Sequence, residues 1–157
     1  MIYLGIDPGK KGAIAAISRG GVRVESLQFN DDQIDASWLM RWLGAAVPSG
    51  PDGREPCMIL LESINSFGMG RQSAFVFGQG FGGLQAVIEL AGYPMRLVRP
   101  QAWQAVSMAG LPKDTEEIQA KRLFPDLDWP TSKDRREGWA DALMIAEACR
   151  LTYGASI

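Results

Sequence analysis

The amino-acid sequence predicts an α/β fold in which a mixed five-stranded β-sheet is flanked by helices. Three observations lead to this prediction. Short apolar runs contain strand-forming residues, longer segments carry apolar residues at helical spacing, and the two kinds of segment alternate after the first three strands. Strands followed by helices in this order indicate a sheet covered by helices. A length of 157 residues fits a single domain over 1–157 that can bury a substantial core.

The first three predicted strands form an antiparallel meander. Residues 2–7 are a short apolar run that ends at the turn signal Pro8-Gly9, and residues 12–18 form a second apolar run. Residues 19–21 (Arg-Gly-Gly) predict a tight hairpin turn. Residues 22–28 then alternate apolar and polar side chains, which is typical of a half-buried strand nearer the sheet edge.

The later elements alternate between helix and strand. The continuous apolar run at 57–61 predicts a buried central strand that ends at Glu62. The remaining predictions, in chain order, are a helix over 35–47, loops over 48–56 and 63–70, a helix over 72–91, a strand over 95–98, a short helical turn from Pro100, a helix over 114–123 with Asp114 as its N-cap, and a last helix over 135–152.

Composition excludes several classes of chemistry. The chain has no histidine, and its two cysteines, Cys57 and Cys149, lie outside any CxxC pair, which argues against zinc sites and Ser-His or Cys-His triads. Both cysteines are therefore expected to be buried apolar filler. A net charge of −2 argues against a general polyanion binder, although basic residues can still cluster locally. No apolar run approaches membrane-spanning length and no secretory signal is evident, so a cytoplasmic location is expected.

Four carboxylates form the strongest functional pattern. Asp7 and Glu62 each stand at the carboxyl end of a predicted strand, and parallel neighbouring strands would bring them to one sheet edge. Glu137 and Asp141 are four residues apart, so they share one face of the last helix. Oxygen ligands without histidine or cysteine suit Mg²⁺, with Mn²⁺ as a substitute. Two such ions support phosphodiester hydrolysis.

Three of the four acids also have an ordinary structural explanation, and Glu62, which follows five apolar residues, is the less ordinary case. Asp-Pro-Gly turns are common, and the Glu137–Asp141 pair would also fit a solvated helix face. Asp141 is the stronger member of that pair because it sits in a small, apolar stretch. Asp134 competes with Glu137 for the place of fourth ligand.

Three segments resemble the acidic motifs of the RuvC-type Holliday junction resolvases: 2–12 (IYLGIDPGKKG), 60–62 (LLE) and 140–146 (ADALMIA). Segments 68–83 and 98–103 are similar to the phage- and prophage-encoded branch of that family. The resemblance implies a ribonuclease H-like fold, usually a homodimer, and Mg²⁺-dependent nicking of four-way or other branched DNA in recombination or phage DNA processing.

Carried over by motif, the resemblance makes Asp7, Glu62 and Asp141 acidic metal ligands. The fourth acid lies three residues before the last Asp in some members, where this chain has Gly138, and four before it in others, where this chain has Glu137. The loop after the second acid often carries an aromatic residue that stacks at the branch point. Phe67 fits that description, and it also fits an ordinary loop aromatic packed on the domain.

The basic residues expected to contact DNA are few and local. Arg71 is the strongest of them, because Gly68 and Gly70 would let its loop approach a phosphate backbone closely. The glycine-rich helix over 72–91 is the candidate homodimer interface, since a two-fold dimer suits a symmetric junction. The full basic set is Lys10, Lys11, Arg71, Lys133, Arg135 and Arg136.

Two other functions remain open at the level of sequence. Asp-Pro-Gly followed by Lys-Lys-Gly resembles the phosphate-binding turn of actin-like and sugar-kinase-like ATPases, which need two such domains, and the chain has no P-loop motif. The alternative is a catalytically inactive module that binds branched DNA. Retention of three well-placed acids favours the enzyme over that module.

Overall fold

A five-stranded sheet forms the centre of the computed structural model, which describes residues 1–64, 68–112 and 114–154. The strands lie in the spatial order β3-β2-β1-β4-β5, with β1–β2 and β2–β3 antiparallel and β1–β4 and β4–β5 parallel. The mixed sheet predicted from the sequence is therefore confirmed. The strands are β1 (Ile2–Asp7), β2 (Ala13–Ser18), β3 (Gly21–Ser26), β4 (Cys57–Glu62) and β5 (Met95–Val98).

The helices begin and end within two residues of the predicted bounds where bounds were predicted. Asp35 caps the first of them, because its carboxylate accepts the backbone N–H of Trp38 at 2.9 Å. The helices are α1 (Ala36–Ala46), α2 (Arg71–Leu90), α3 (Pro100–Ser107), α4 (Glu116–Leu123) and α5 (Lys133–Tyr153).

Two local predictions were wrong. Asp114 is not an N-cap, because its φ of 58° is left-handed and the cap position of α4 falls on Thr115. The segment 48–56, predicted to be only a loop, contains a two-residue antiparallel ladder between Ser49–Gly50 and Gly53–Arg54. Gly53 has a φ of 104°, and that positive φ lets the chain reverse tightly enough to form the ladder.

The sheet is covered on both faces. Successive side chains of β1 point to opposite faces of the sheet. Ile2, Leu4 and Ile6 therefore pack in a core with α1 and α2, whereas Tyr3 packs in a second core with α5. The two cysteines are buried and form no disulfide, which confirms their predicted role as apolar filler. In the part of the chain that the structure describes, no helix combines the length and apolar character needed to cross a bilayer.

Close backbone contact fixes α5 on the sheet. A Cβ atom on Gly5 would overlap the backbone of Ala142 and Ala146, and a Cβ on Gly138 would overlap the carbonyl oxygen of Lys11. Glycine is therefore required on both sides of this crossing. Since Asp141 lies between the two contact points, its place beside the carboxyl end of β1 is set by the helix crossing.

Candidate active site

Asp7 and Glu62 emerge at the same edge of the sheet. Strands β1 and β4 are parallel and pair Ile6 with Leu61, so the next residue of each strand is a carboxylate at the adjoining carboxyl end. Both strands are buried, which places these acids at the rim of the core. This is the edge at which open α/β sheets hold their ligands.

Asp141 joins them from α5. Burial and then the charges of Asp141 and Glu62 raise the pKa of Asp7 well above its ordinary value. Burial and then the charges of Glu62, Glu116 and Glu137 raise the pKa of Asp141 to about 7. The charges of Asp141 and Glu62 act on Asp7, and Glu62 and Asp141 line one cleft, so acids far apart in sequence lie near one another. Carboxylates with raised pKa values are common at functional sites.

Among the described residues, the central acids have no compensating cation. Within residues 1–64, 68–112 and 114–154, none of Asp7, Glu62 and Asp141 forms an ion pair with lysine or arginine. Buried charges of one sign are costly unless they are paired or bind a metal. The donor set is made of oxygen atoms, which fits a hard divalent cation.

The described side chains do not form a ready-made ligand shell. Among the described residues, no group of three or more acidic or cysteine side chains converges closely enough to hold one ion. The donor chemistry and the mutual coupling of the carboxylates therefore fit a divalent metal, whereas the ligand geometry is not closed.

Glu62 is held by a tryptophan. The indole Nε1–H of Trp103 donates to Oε1 of Glu62 at 2.7 Å, and the two residues are 2% and 8% exposed. Burial raises the pKa of Glu62, and this hydrogen bond opposes the rise. Sequence reasoning placed Trp103 in a motif but did not identify the contact, because nothing in the sequence reports which acceptor an indole reaches.

An acidic cleft of about 380 Å³ opens beside these groups. Glu116, at the start of α4, lines this cleft and accepts a hydrogen bond from Gln104 at 3.3 Å. Glu116 was not predicted from the sequence, because α4 is a polar helix with no visible link to the other acids. The cleft is lined by Glu62, Trp103, Gln104, Asp114, Glu116, Glu117, Glu137, Ala140 and Asp141.

The architecture matches solved protein structures. No family model and no curated protein matches the chain. The structure of Thermus thermophilus RuvC matches with a TM-score of 0.61 at 15% identity, covering 97% of each chain. The chain has the RuvC fold. A second structure, T. thermophilus RuvC in complex with Holliday junction substrate, gives a TM-score of 0.60 at 15% identity and covers 92% of this chain and 91% of that one.

The match confirms the predicted ribonuclease H-like fold. The resemblance predicted from the acidic motifs is supported by this match over nearly the whole chain. Membership of the phage-encoded branch stays a prediction.

Within this RuvC fold, the two candidates for the fourth acid differ in their surroundings. Glu137 lines the cleft, adds to the raised pKa of Asp141, and lies 3.5 Å from Lys133 Nζ. Asp134 instead pairs with Lys11 at 2.8 Å, and the hydrogen bond and charge of that lysine lower the pKa of Asp134. The placement favours Glu137 as the acid that faces the site.

The predicted DNA-contacting residues occupy the surface around the sheet edge and α5. Arg71 is the first residue of α2 and Arg135 lies in the first turn of α5, both exposed. Phe67 lies outside the described residues. The other four basic residues form ion pairs: Lys10 with Asp32, Lys11 with Asp134, Lys133 with Glu137, and Arg136 with Glu117.

Proposed function

We propose that this chain is a divalent-metal-dependent endonuclease that nicks branched DNA, with the four-way Holliday junction as its substrate. One observation carries the proposal: three coupled carboxylates without a cationic partner among the described residues lie at the sheet edge of a RuvC fold. The T. thermophilus RuvC of the same fold has been solved with a Holliday junction substrate.

Asp7, Glu62 and Asp141 would hold two Mg²⁺ ions, for which Mn²⁺ would substitute, and Glu137 would complete the ligand set. When bound, such ions supply an activated water for attack on the phosphodiester and stabilise the leaving 3′ oxygen. The chain itself contributes the fixed strand ends, the α5 crossing that brings in Asp141, and the buried surroundings that strengthen these interactions.

DNA would be held by local basic residues, since the net charge of −2 disfavours general attraction to polyanions. Among the described residues, Arg71 and Arg135 make no ion pair, so no existing ion pair has to break when they contact phosphate. Lys10, Lys11, Lys133 and Arg136 would exchange their present carboxylate partners for phosphates. Phe67 would stack at the branch point.

A second copy of the chain would pack against α2. The glycines of this helix divide into two sets: Gly80 and Gly83 pack inward against Asp32 and Ile34, whereas a Cβ atom added to Gly78 or Gly82 would meet no described neighbour within 4 Å. Four-residue spacing places Gly78 and Gly82 on one face, where a partner helix can approach closely. The proposed homodimer would present two active sites to a two-fold symmetric junction.

The decisive experiment compares cleavage of four-way, flap and linear DNA in Mg²⁺ and in EDTA. We expect Mg²⁺-dependent nicking of the four-way junction, and we expect Asp7→Asn to reduce its rate by more than about 100-fold, the upper end of the loss caused by removing an outer-shell partner. Junction affinity should change little, because the ligand supports chemistry more than phosphate contact.

Asp126→Asn is the matched control, since Asp126 is an exposed acid outside the cleft. It should cut at the wild-type rate. Undiminished cleavage by the Asp7 variant would refute the assignment. Junction binding without any cleavage would identify an inactive binding module, and ATPase activity without cleavage would identify a nucleotide-binding protein.

A further inference from the structure

The contact between Trp103 and Glu62 is more specific than packing requires. An indole N–H is a donor without acceptor capacity, and a buried one normally finds a partner. Here the partner is a buried carboxylate at 2.7 Å, close to the short end of the range for such bonds. In the described part of the chain, Trp103 is the one side chain that donates to Glu62.

Trp103 also contacts the element that carries Asp141. It is the fourth residue of α3, directly after β5, which pairs with β4 and its Glu62. Its ring belongs to the core between the sheet and α5, together with Ala140 and Leu143. One rigid side chain is therefore packed against α5 and hydrogen-bonded to the end of β4.

Among the described residues, no side chain supports the neighbouring acids in this way. Asp7 and Asp141 accept no side-chain hydrogen bond among the bonds found in residues 1–64, 68–112 and 114–154. Glu has three rotatable side-chain bonds, so an unsupported Glu62 would turn away from like charges. An indole N–H restrains it against that repulsion.

We propose that Trp103 is a positioning residue, whose indole N–H holds the Glu62 carboxylate toward Asp141 so that the acids can share divalent ions. The inference rests on the proposed metal-dependent function. The role of Trp103 is to position Glu62, and Trp103 itself touches no reacting atom.

The first test is Trp103→Phe, which removes the N–H donor and keeps most of the aromatic packing. We expect Mn²⁺ affinity, measured by titration calorimetry, and the cleavage kcat each to fall by about 10- to 100-fold. The Kd for a four-way junction in EDTA should stay within about twofold, because phosphate contacts are untouched. The result therefore separates metal binding from DNA binding.

Trp139→Phe is the matched control. Its indole donates to Ser26 Oγ at 3.1 Å, so this variant also loses one indole hydrogen bond, and Trp139 does not line the acidic cleft. We expect a similar small drop in Tm for both variants and a wild-type kcat for the control. Equal losses of kcat in the two variants would overturn the positioning role.

A double-mutant cycle tests whether Trp103 acts through Glu62. Trp103→Phe should weaken Mn²⁺ binding in the wild-type background and cause no further loss in a Glu62→Ala background. An equal loss in both backgrounds would overturn the proposal. The Trp103 indole N–H resonance should also move in Glu62→Ala without metal, and an unmoved resonance would count against the contact itself.

Two further outcomes are distinguishable. If Glu62→Ala leaves Mn²⁺ binding unchanged, the proposed function fails and the positioning role fails with it, whereas loss in Glu62→Ala without loss in Trp103→Phe overturns the positioning role alone. If Trp103→Phe fails to fold, 3-benzothienylalanine at position 103 replaces the N–H by sulfur in nearly the same shape. The same fall in Mn²⁺ affinity is expected, and wild-type affinity would contradict the proposal.

Discussion

At the scale of single residues, the burial and mutual repulsion of the acids at the sheet edge lower the stability of the folded chain. Burial and neighbouring acids raise the pKa of Asp7 and bring that of Asp141 to about 7. A chain selected for stability alone would not gather carboxylates that, among the described residues, have no cationic partner at the rim of its core. Sites of this kind are commonly destabilising until their ligand binds.

This arrangement predicts how Asp141→Asn changes the pH dependence of stability. A carboxyl group with a raised pKa binds its proton more tightly in the folded chain than in the unfolded chain. Without metal, the contribution of Asp141 to the free energy of unfolding therefore falls as the pH rises from about 4 to about 7, and stays low above that. Asparagine does not titrate, so the variant does not lose this contribution to the free energy of unfolding as the pH rises. At pH 8 in EDTA the variant should therefore be more stable than the wild type, by on the order of 1–3 kcal/mol.

Urea denaturation at pH 5 and pH 8 measures the difference. Asp128→Asn, which alters an exposed acid outside the cleft, is the control and should track the wild type at both values. A stability gain in Asp141→Asn that is the same at pH 5 and pH 8 would contradict the raised pKa. Added Mn²⁺ should reverse the order of the two proteins at pH 8, because it binds the wild-type carboxylates.

Single residues also show where sequence reasoning reached its limit. Asp7 and Glu62 could be singled out because each ends an apolar run, and strand ends meet at one edge. Trp103 and Glu62 are separated by 41 positions, and no periodicity links them. Glu116 was missed for the same reason, since its place in the cleft depends on how α4 packs against α5.

At the scale of elements, the helix over β1 determines the site. The apolar pattern of the last helix indicated that it lies on the sheet, but pattern alone does not state the distance between helix and strand. That distance depends on two glycines. Gly5 on β1 contacts the backbone of Ala142 and Ala146 on α5, and Gly138 on α5 contacts the backbone of Lys11 and Gly12, which precede β2. The crossing point then fixes which residues of α5 reach the end of β1.

Gly5→Ala is therefore expected to be strongly destabilising. Its methyl group would meet the backbone atoms of Ala142 and Ala146, which belong to a buried helix and cannot move independently. Overpacking of this kind costs about 1–3 kcal/mol, and backbone contact places this variant at the upper end. Chemical denaturation measures the loss, and any folded variant should also cut DNA more slowly because Asp141 is displaced.

The control for this variant is Gly44→Ala. Gly44 is an exposed glycine within α1, and a Cβ atom at this position would meet no described neighbour within 4 Å. Alanine at this helical position should stabilise the protein by up to ~1 kcal/mol. A Gly5 variant with the wild-type denaturation midpoint would show that α5 does not lie as close to β1 as described.

At the scale of the whole molecule, the sequence was sufficient to predict the fold. It was not sufficient to predict which residues of α2 form the proposed homodimer surface. The order of strands and helices specified a mixed sheet, since a meander must be antiparallel and strands joined through helices are usually parallel. The glycines of α2 suggested close packing, but the sequence could not separate those that face the protein from those that face outward. The structure separates them, with Phe75 66% exposed and Leu90 88% exposed on the same helix as Gly82.

The proposed homodimer predicts a specific response to Gly82→Glu. Each copy would place a charged side chain on the α2 face where two copies meet, and two like charges at a closely packed interface are unfavourable. We expect sedimentation to shift from a dimer toward the 17.1 kDa monomer, and junction cleavage to shift from paired nicks to single nicks. Metal affinity should be unchanged, because Gly82 does not line the acidic cleft.

Gly44→Glu provides the comparison, since it makes the same substitution on an exposed face of α1 and raises helix propensity equally. It should sediment and cut as the wild type does. If both glutamate variants remain dimeric, the copies meet through another surface. A wild-type monomer that makes paired nicks would contradict the proposed homodimer. The junction itself would then coordinate the two cuts, and Gly78 and Gly82 would have another role.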